Sequence, residues 1–154
     1  MSTDAPARRL LLLSCSARKK KPDGLVPAWE LYDGVAFQVV KRVARERGLP
    51  TCTDLLILSA LHGVIEPSTP IGYYDLRMTS AAAAAQRAMN LTRLRELTAG
   101  KTYGEIYLMM GRTYLEALSP TSEWGGRAQV IHHPKSIGLM LRELKMWLTA
   151  ERGA

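Results

Sequence analysis

Residues 9–16, Arg9-Leu10-Leu11-Leu12-Leu13-Ser14-Cys15-Ser16, decide the fold. Four consecutive leucines show neither the alternation of a half-buried strand nor the spaced stripe of a surface helix. A continuous apolar run this short, stopped at once by small polar residues, suits a central strand covered on both faces. The next segment, Ala17 to Gly24 with three successive lysines and Pro22, is a loop on composition.

Outward from that strand the pattern alternates. From Pro27 the apolar residues Trp29, Val35, Phe37, Val39, Val40 and Val43 are spaced for one face of a helix that Gly48 and Pro50 terminate. Residues 54–59 (Asp-Leu-Leu-Ile-Leu-Ser) repeat the first strand's character, and residues 60–75 read as a loop rich in Gly, Pro and Tyr. Thr79 and Ser80 open a second helix that runs through the alanines at 81–85 to about Leu97, with Gly100 closing it. A third strand covers 105–111, a short helix 112–118 and a fourth strand 127–131. A last amphipathic helix covers 136–149. The alternation predicts a single α/β domain over residues 9–150, after a loose tail at 1–8. Its core is a mostly parallel sheet of about four strands with helices on both faces.

In such sheets, sites form beyond the carboxyl ends of the strands. Four loops are thereby nominated: 14–24, 59–75, 111–114 and 132–136. The first holds Cys15, Ser16 and Lys19–Lys21. Positive charge favours a thiolate, and an amine among other cations is a candidate nucleophile; the same residues also suit phosphate. The second holds Ser59, His62, Tyr74 and Asp75, where a carboxylate could act as base beside rings that stack on a flat ligand. It equally allows the tyrosines to pack the loop while Asp75 caps the Thr79 region or pairs with Arg77. Gly111, Arg112 and Tyr114 form a strand-to-helix turn suited to an anion. Of His132 and His133, adjacent residues of an extended segment, one is expected to face the cleft.

The formal net charge of +7 favours polyanionic partners or anionic small substrates. Two cysteines are too few for a disulfide framework, and the run Leu10–Leu13 is too short for a membrane span, so the chain reads as cytoplasmic. With three histidines and no Cys-x-x-Cys pair, neither a metal nor another cofactor is expected. The oligomeric state is left open.

Cys15-Ser16-x-x-Lys19, Glu30-Leu31-Tyr32, Leu58-Ser59-Ala60-Leu61-His62-Gly63-Val64-Ile65-x-Pro67 and Tyr74-Asp75 together resemble a bacterial and phage domain family. That family is similar to the peroxide-stress protein YaaA and to the Cys-Ser-x-x-Lys-Pro domain of archaeosine synthase. The resemblance covers roughly residues 10–118 and implies a uracil-DNA-glycosylase-like fold. It departs from the archaeosine-synthase pattern after Lys19, where Pro22 comes three residues later rather than at once. The resulting expectation is an enzyme acting on a nucleobase or N-glycosidic bond, in nucleic acid or a nucleotide. Cys15, Lys19, His62 and Asp75 would be catalytic, with Ser16, Tyr32, Ser59, Tyr74, Gly111, Arg112, Tyr114 and His133 binding substrate. The alternative is a non-catalytic, YaaA-like DNA-binding protein of stress protection.

Overall fold

A computed structural model describes residues 7–150. Its elements are β1 (Arg8–Ser14), β2 (Val26–Pro27), α1 (Ala28–Leu31), α2 (Val35–Arg47), β3 (Thr53–Ser59), β4 (Gly63–Ile65), β5 (Pro70–Ile71), α3 (Ser80–Thr98), β6 (Tyr103–Met109), α4 (Arg112–Glu116), β7 (Gln129–Ile131) and α5 (Ile137–Thr149). The four leucines of β1 are all fully buried, so both faces of the sheet are covered at its centre. Each is worth about 1.5–3 kcal/mol relative to exposure.

The main sheet has five strands in the order β4-β3-β1-β6-β7. β1 pairs in parallel with β3 and β6, and β6 with β7, whereas β3 and β4 are antiparallel. From β1 the chain moves outward to β3 through α2, then crosses back over β1 to β6 through α3. The winding therefore reverses at β1, and the crevice at the carboxyl ends of β1 and β6 is a topological switch point. α2 packs with α5, and α3 with α4.

Four features differ from the sequence reading. The sheet is mixed and has a fifth strand, β4, where a loop was expected. Gly63 at φ 74° reverses the chain directly after Ser59, and three residues are too few to show a period. The helix expected from Pro27 is split into α1 and α2, because Tyr32 turns extended and sinks fully into the core. β5, read as loop, and β2, whose Pro27 reads from sequence as the start of a helix, form a two-stranded antiparallel ribbon. Arg8, assigned to the tail, is the first residue of β1, while residues 1–6 of that tail lie outside the described residues.

Polar anchors fix the layers. Arg9 is buried, donates to the Trp147 carbonyl at 2.7 Å and lies 3.7 Å from the Trp147 ring centroid, which ties α5 to β1. Fully buried Asn90 of α3 accepts from the Val64 N–H at 3.1 Å and donates to the Ala117 carbonyl at 3.1 Å, joining β4 to the segment after α4. At the amino end of the sheet, Asp54 accepts from Arg8 Nε at 2.9 Å and from the Tyr103 hydroxyl at 2.6 Å. The Arg8 guanidinium holds the Asp54 carboxyl down, from its ordinary 3.8 to about 2, with Tyr103 assisting. No helix among the described residues is long and apolar enough to cross a membrane.

Two of these anchors can be tested through stability. Asn90→Ala leaves the Val64 N–H and the Ala117 carbonyl without their partner and lowers unfolding free energy by about 2–4 kcal/mol in urea titrations. Because the Asp54 carboxyl is depressed on folding, its contribution is complete above pH 3.8 and fades as pH falls through about 2. Asp54→Asn should therefore shift the urea midpoint down at pH 7, and the gap to wild type should close near pH 2. A gap of equal size at both pH values would contradict this.

Candidate functional site

The end of β1 delivers Cys15 to the rim of the sheet, where its backbone N–H still bonds the Leu58 carbonyl of β3 at 2.8 Å. The residue is 8% exposed. The Ala60 N–H donates to its Sγ at 3.3 Å, and the Tyr114 hydroxyl lies 3.2 Å from it. Burial, reinforced by the contact with Cys15, pushes the Tyr114 hydroxyl upward, so it stays a neutral phenol able to donate.

Ser16 comes next and shapes the turn. Its Oγ donates to the Arg18 carbonyl at 2.7 Å and accepts from the Gly34 N–H at 3.2 Å. A Cβ on residue 34 would collide with that of Ser16, so glycine is required there by close approach. The chain then runs back along Tyr32, pairing with it at Lys19. This places the Lys19 Nζ 4.6 Å from the Tyr74 ring centroid, where the face of the ring attracts a cation.

Tyr74 is the keystone of the second loop. Its hydroxyl lies 2.6 Å from the Tyr32 hydroxyl and 2.8 Å from Ser59 Oγ. Ser59, itself fully buried, accepts from the N–H groups of Leu61 and His62. Burial raises both phenols, Tyr32 to about 12 and Tyr74 further, so the pair remains hydrogen-bonded and neutral. Anchored in this way, the loop carries Asp75 into a cleft of about 110 Å³ lined by Cys15, Ser16, Lys19, Asp75, Arg77 and Tyr114. Lys19 and Asp75, 56 positions apart in sequence, share one cleft. The Asp75 carboxylate is exposed and has no hydrogen bond or ion pair among the described residues.

Directly behind Cys15 and Ser16 lies a second cavity of about 310 Å³, at the switch point between β1 and β6. Its walls are mostly apolar, with Phe37, Met109, Met110 and Met140, and Lys135 also lines it. Cys15 and Ser16 line both spaces and so form their common wall.

The family model for DUF6884, a family of unknown function, matches residues 10–146. The chain belongs to the DUF6884 family. No curated protein matches it.

Of the residues nominated from sequence in this DUF6884 chain, the structure gathers Cys15, Ser16, Lys19, Asp75 and Tyr114 around the cleft, with Tyr32, Ser59 and Tyr74 as its hydrogen-bonded support. Gly111 lines the apolar cavity instead. His62 is set apart. It lines a different cavity with Glu66 and Arg93, and meets Tyr74 edge-on at 5.6 Å. Burial and then Arg93 push its imidazole below the ordinary value, which favours the neutral ring. His133 packs against Tyr107 and lies 3.9 Å from Glu143, and His132 bonds the Met110 carbonyl at 2.9 Å, so neither histidine lines either space. Arg112 is exposed on the first turn of α4 and lines neither space. Asp75 neither caps α3 nor pairs with Arg77; Thr79 caps that helix itself by accepting from the Ala82 N–H. Missed from sequence were the apolar wall residues Phe37, Met109, Met110 and Met140, none of which was nominated for a site. Among the described residues, no group of three or more His, Cys, Asp or Glu side chains is placed to hold a metal.

The cover over Cys15 is testable by alkylation. Iodoacetamide should label the partly exposed Cys52 first in the native protein. Tyr114→Ala should raise the Cys15 labelling rate about tenfold by uncovering the thiol. Unchanged labelling, read by peptide mass spectrometry, would show that Tyr114 does not shield it.

Proposed function

We propose that this protein is an enzyme acting on a nucleobase or its N-glycosidic bond, in a nucleotide or in nucleic acid. The observation that carries this reading is the shared wall. A carboxylate and an amine line one cleft, and Cys15 with Ser16 lies between that cleft and an apolar cavity of about 310 Å³. That volume lies at the lower end of small-molecule pockets, about 300–1,000 Å³, and suits a flat heterocycle. Methionine side chains around it adapt to aromatic surfaces. The parallel core with its switch point is compatible with the glycosylase-like fold that the sequence resemblance implies.

In this reading the base enters the apolar cavity and its sugar bond lies over the wall. For hydrolysis, water attacks the anomeric carbon while the bond to the base nitrogen breaks, the electron pair leaving with the base. Asp75, free of competing partners, takes the proton of the water. Lys19, as an ammonium held over Tyr74, stabilises and protonates the leaving nitrogen or an adjacent carbonyl. Cys15 and Tyr114 shape the wall and supply hydrogen-bonding groups. His62 has no step in this scheme.

The reading is tested with a panel of nucleosides, nucleotides and short oligonucleotides, following release or alteration of the base by chromatography. Lys19→Ala and Asp75→Asn should each lower turnover by about 100-fold or more while melting temperature and ligand binding hold. The second reading, non-catalytic DNA binding, expects no turnover and a small, even loss of affinity from each separate lysine. Turnover unaffected by either substitution would remove Lys19 and Asp75 from the chemistry.

A further inference from the structure

Beside the apolar cavity, with Val35 lining both, runs an open groove of about 580 Å³ along the surface of α2. Lys20, Lys41, Arg42 and Arg45 line it, together with Gln38, against the single carboxylate Asp33. Lys20 belongs to the same loop that supplies Lys19 to the proposed catalytic cleft. The other three cations come from α2, where positions 41 and 45, and 42 and 45, are neighbours on one helix surface. Lys41 is half-buried and donates to the Tyr32 carbonyl at 2.8 Å, which fixes the upper end of the groove to the Tyr32–Tyr74 support. Arg42 is paired with Glu46 at 3.0 Å, whose carboxylate stays outside the lining. Three apolar side chains, Val35, Val39 and Leu141, sit among the cations.

We infer that the substrate is a single polynucleotide strand, and that this groove carries its sugar-phosphate backbone past the cavity in which one base is seated. The inference rests on the proposed nucleobase-directed reading and extends it. Three physical points support a strand over a free nucleotide. The α2 cations occupy positions 41, 42 and 45, about 6 Å of rise along the helix, so charge is offered along the groove rather than at one residue. Two of them are arginines, whose planar forks match phosphate oxygens. The groove also adjoins the cavity, since Val35 lines both. A strand laid there would present its bases to Val35, Leu141 and the methionine-lined cavity. An acidic peptide would satisfy the charges but leave that cavity unfilled. A duplex would hold its bases stacked away from it.

The test measures binding of a fluorescein-labelled mixed-sequence single-stranded oligonucleotide by anisotropy across a salt series. Arg42→Glu with Arg45→Glu is compared with Arg95→Glu plus Arg127→Glu, two exposed arginines outside the groove, which change the net charge equally. The groove variant should lose about tenfold or more in affinity, and its slope of log affinity against log salt should flatten by about 1.4, the value for two phosphate contacts on a single strand. The control pair should lose far less. Equal losses in both variants would reduce the groove to general basic surface and overturn the inference. Tighter binding of a polyglutamate peptide or of duplex than of the single strand would also overturn it. Glutamine at positions 42 and 45 repeats the comparison without introducing repulsion, and circular dichroism melting verifies that each variant is folded. Binding is read without turnover, so failure of the catalytic reading with intact groove binding, or the reverse, is seen separately.

Discussion

β1 leaves no side of itself to water. Its leucines are sealed on both faces, and both of its edges are taken by parallel partners, β3 and β6. A strand so enclosed can meet solvent only at its ends, and the winding reverses around it. Every polar group after Leu13 must therefore emerge at the carboxyl rim, and that is where Cys15 and Ser16 become the wall between two spaces. The opposite end of the strand is closed electrostatically by Arg8 with Asp54, and by Arg9 against Trp147. The site is a consequence of where a fully buried strand has to stop.

The second requirement is a rigid meeting of two loops distant in sequence. Three hydroxyls, those of Tyr32, Tyr74 and Ser59, form a short hydrogen-bonded chain beneath the cleft. In a low-dielectric setting such bonds are strong when complete and expensive to leave unmade, so the chain fixes both loops together. Lys19 reaches Tyr74 from one side of this junction, and Lys41 reaches the Tyr32 carbonyl from another. The amine, the carboxylate and the basic face of α2 are thus positioned by one cluster of tyrosines, which links the chemistry proposed for the cleft to the strand proposed for the groove.

Much of the fold was legible because its signals are local. The apolar runs at 10–13 and 55–58, the alanine-rich helix and the amphipathic last helix are periodicities that need no partner to be read. The split between α1 and α2 was hidden, because the apolar spacing continues through Tyr32 while the break depends on Ser16, a residue 18 positions before the Gly34 that it requires beneath it. β4 was hidden by its length, and by its dependence on Asn90 of a later helix. Among the residues nominated, motif and loop position named Cys15, Ser16, Lys19, Asp75 and Tyr114, which the structure gathers around one cleft. They could not sort His62, His133 and Arg112 from that group, because which way a rim residue faces is set by its neighbours: Arg93 and Tyr74 for His62, and Tyr107 and Glu143 for His133.

By itself the sequence determined a single α/β domain with a buried first strand and a chemistry-rich loop after it, since burial on both faces leaves its mark in unbroken hydrophobicity. Only the tertiary structure decided that Lys19 and Asp75 face one cleft, that methionines of β6 and α5 complete a cavity behind it, and that the cations of α2 line a groove leading away. The physical reason is that cavities are made by what fails to fill space between elements. That is a property of how surfaces meet, and no residue or local period encodes it.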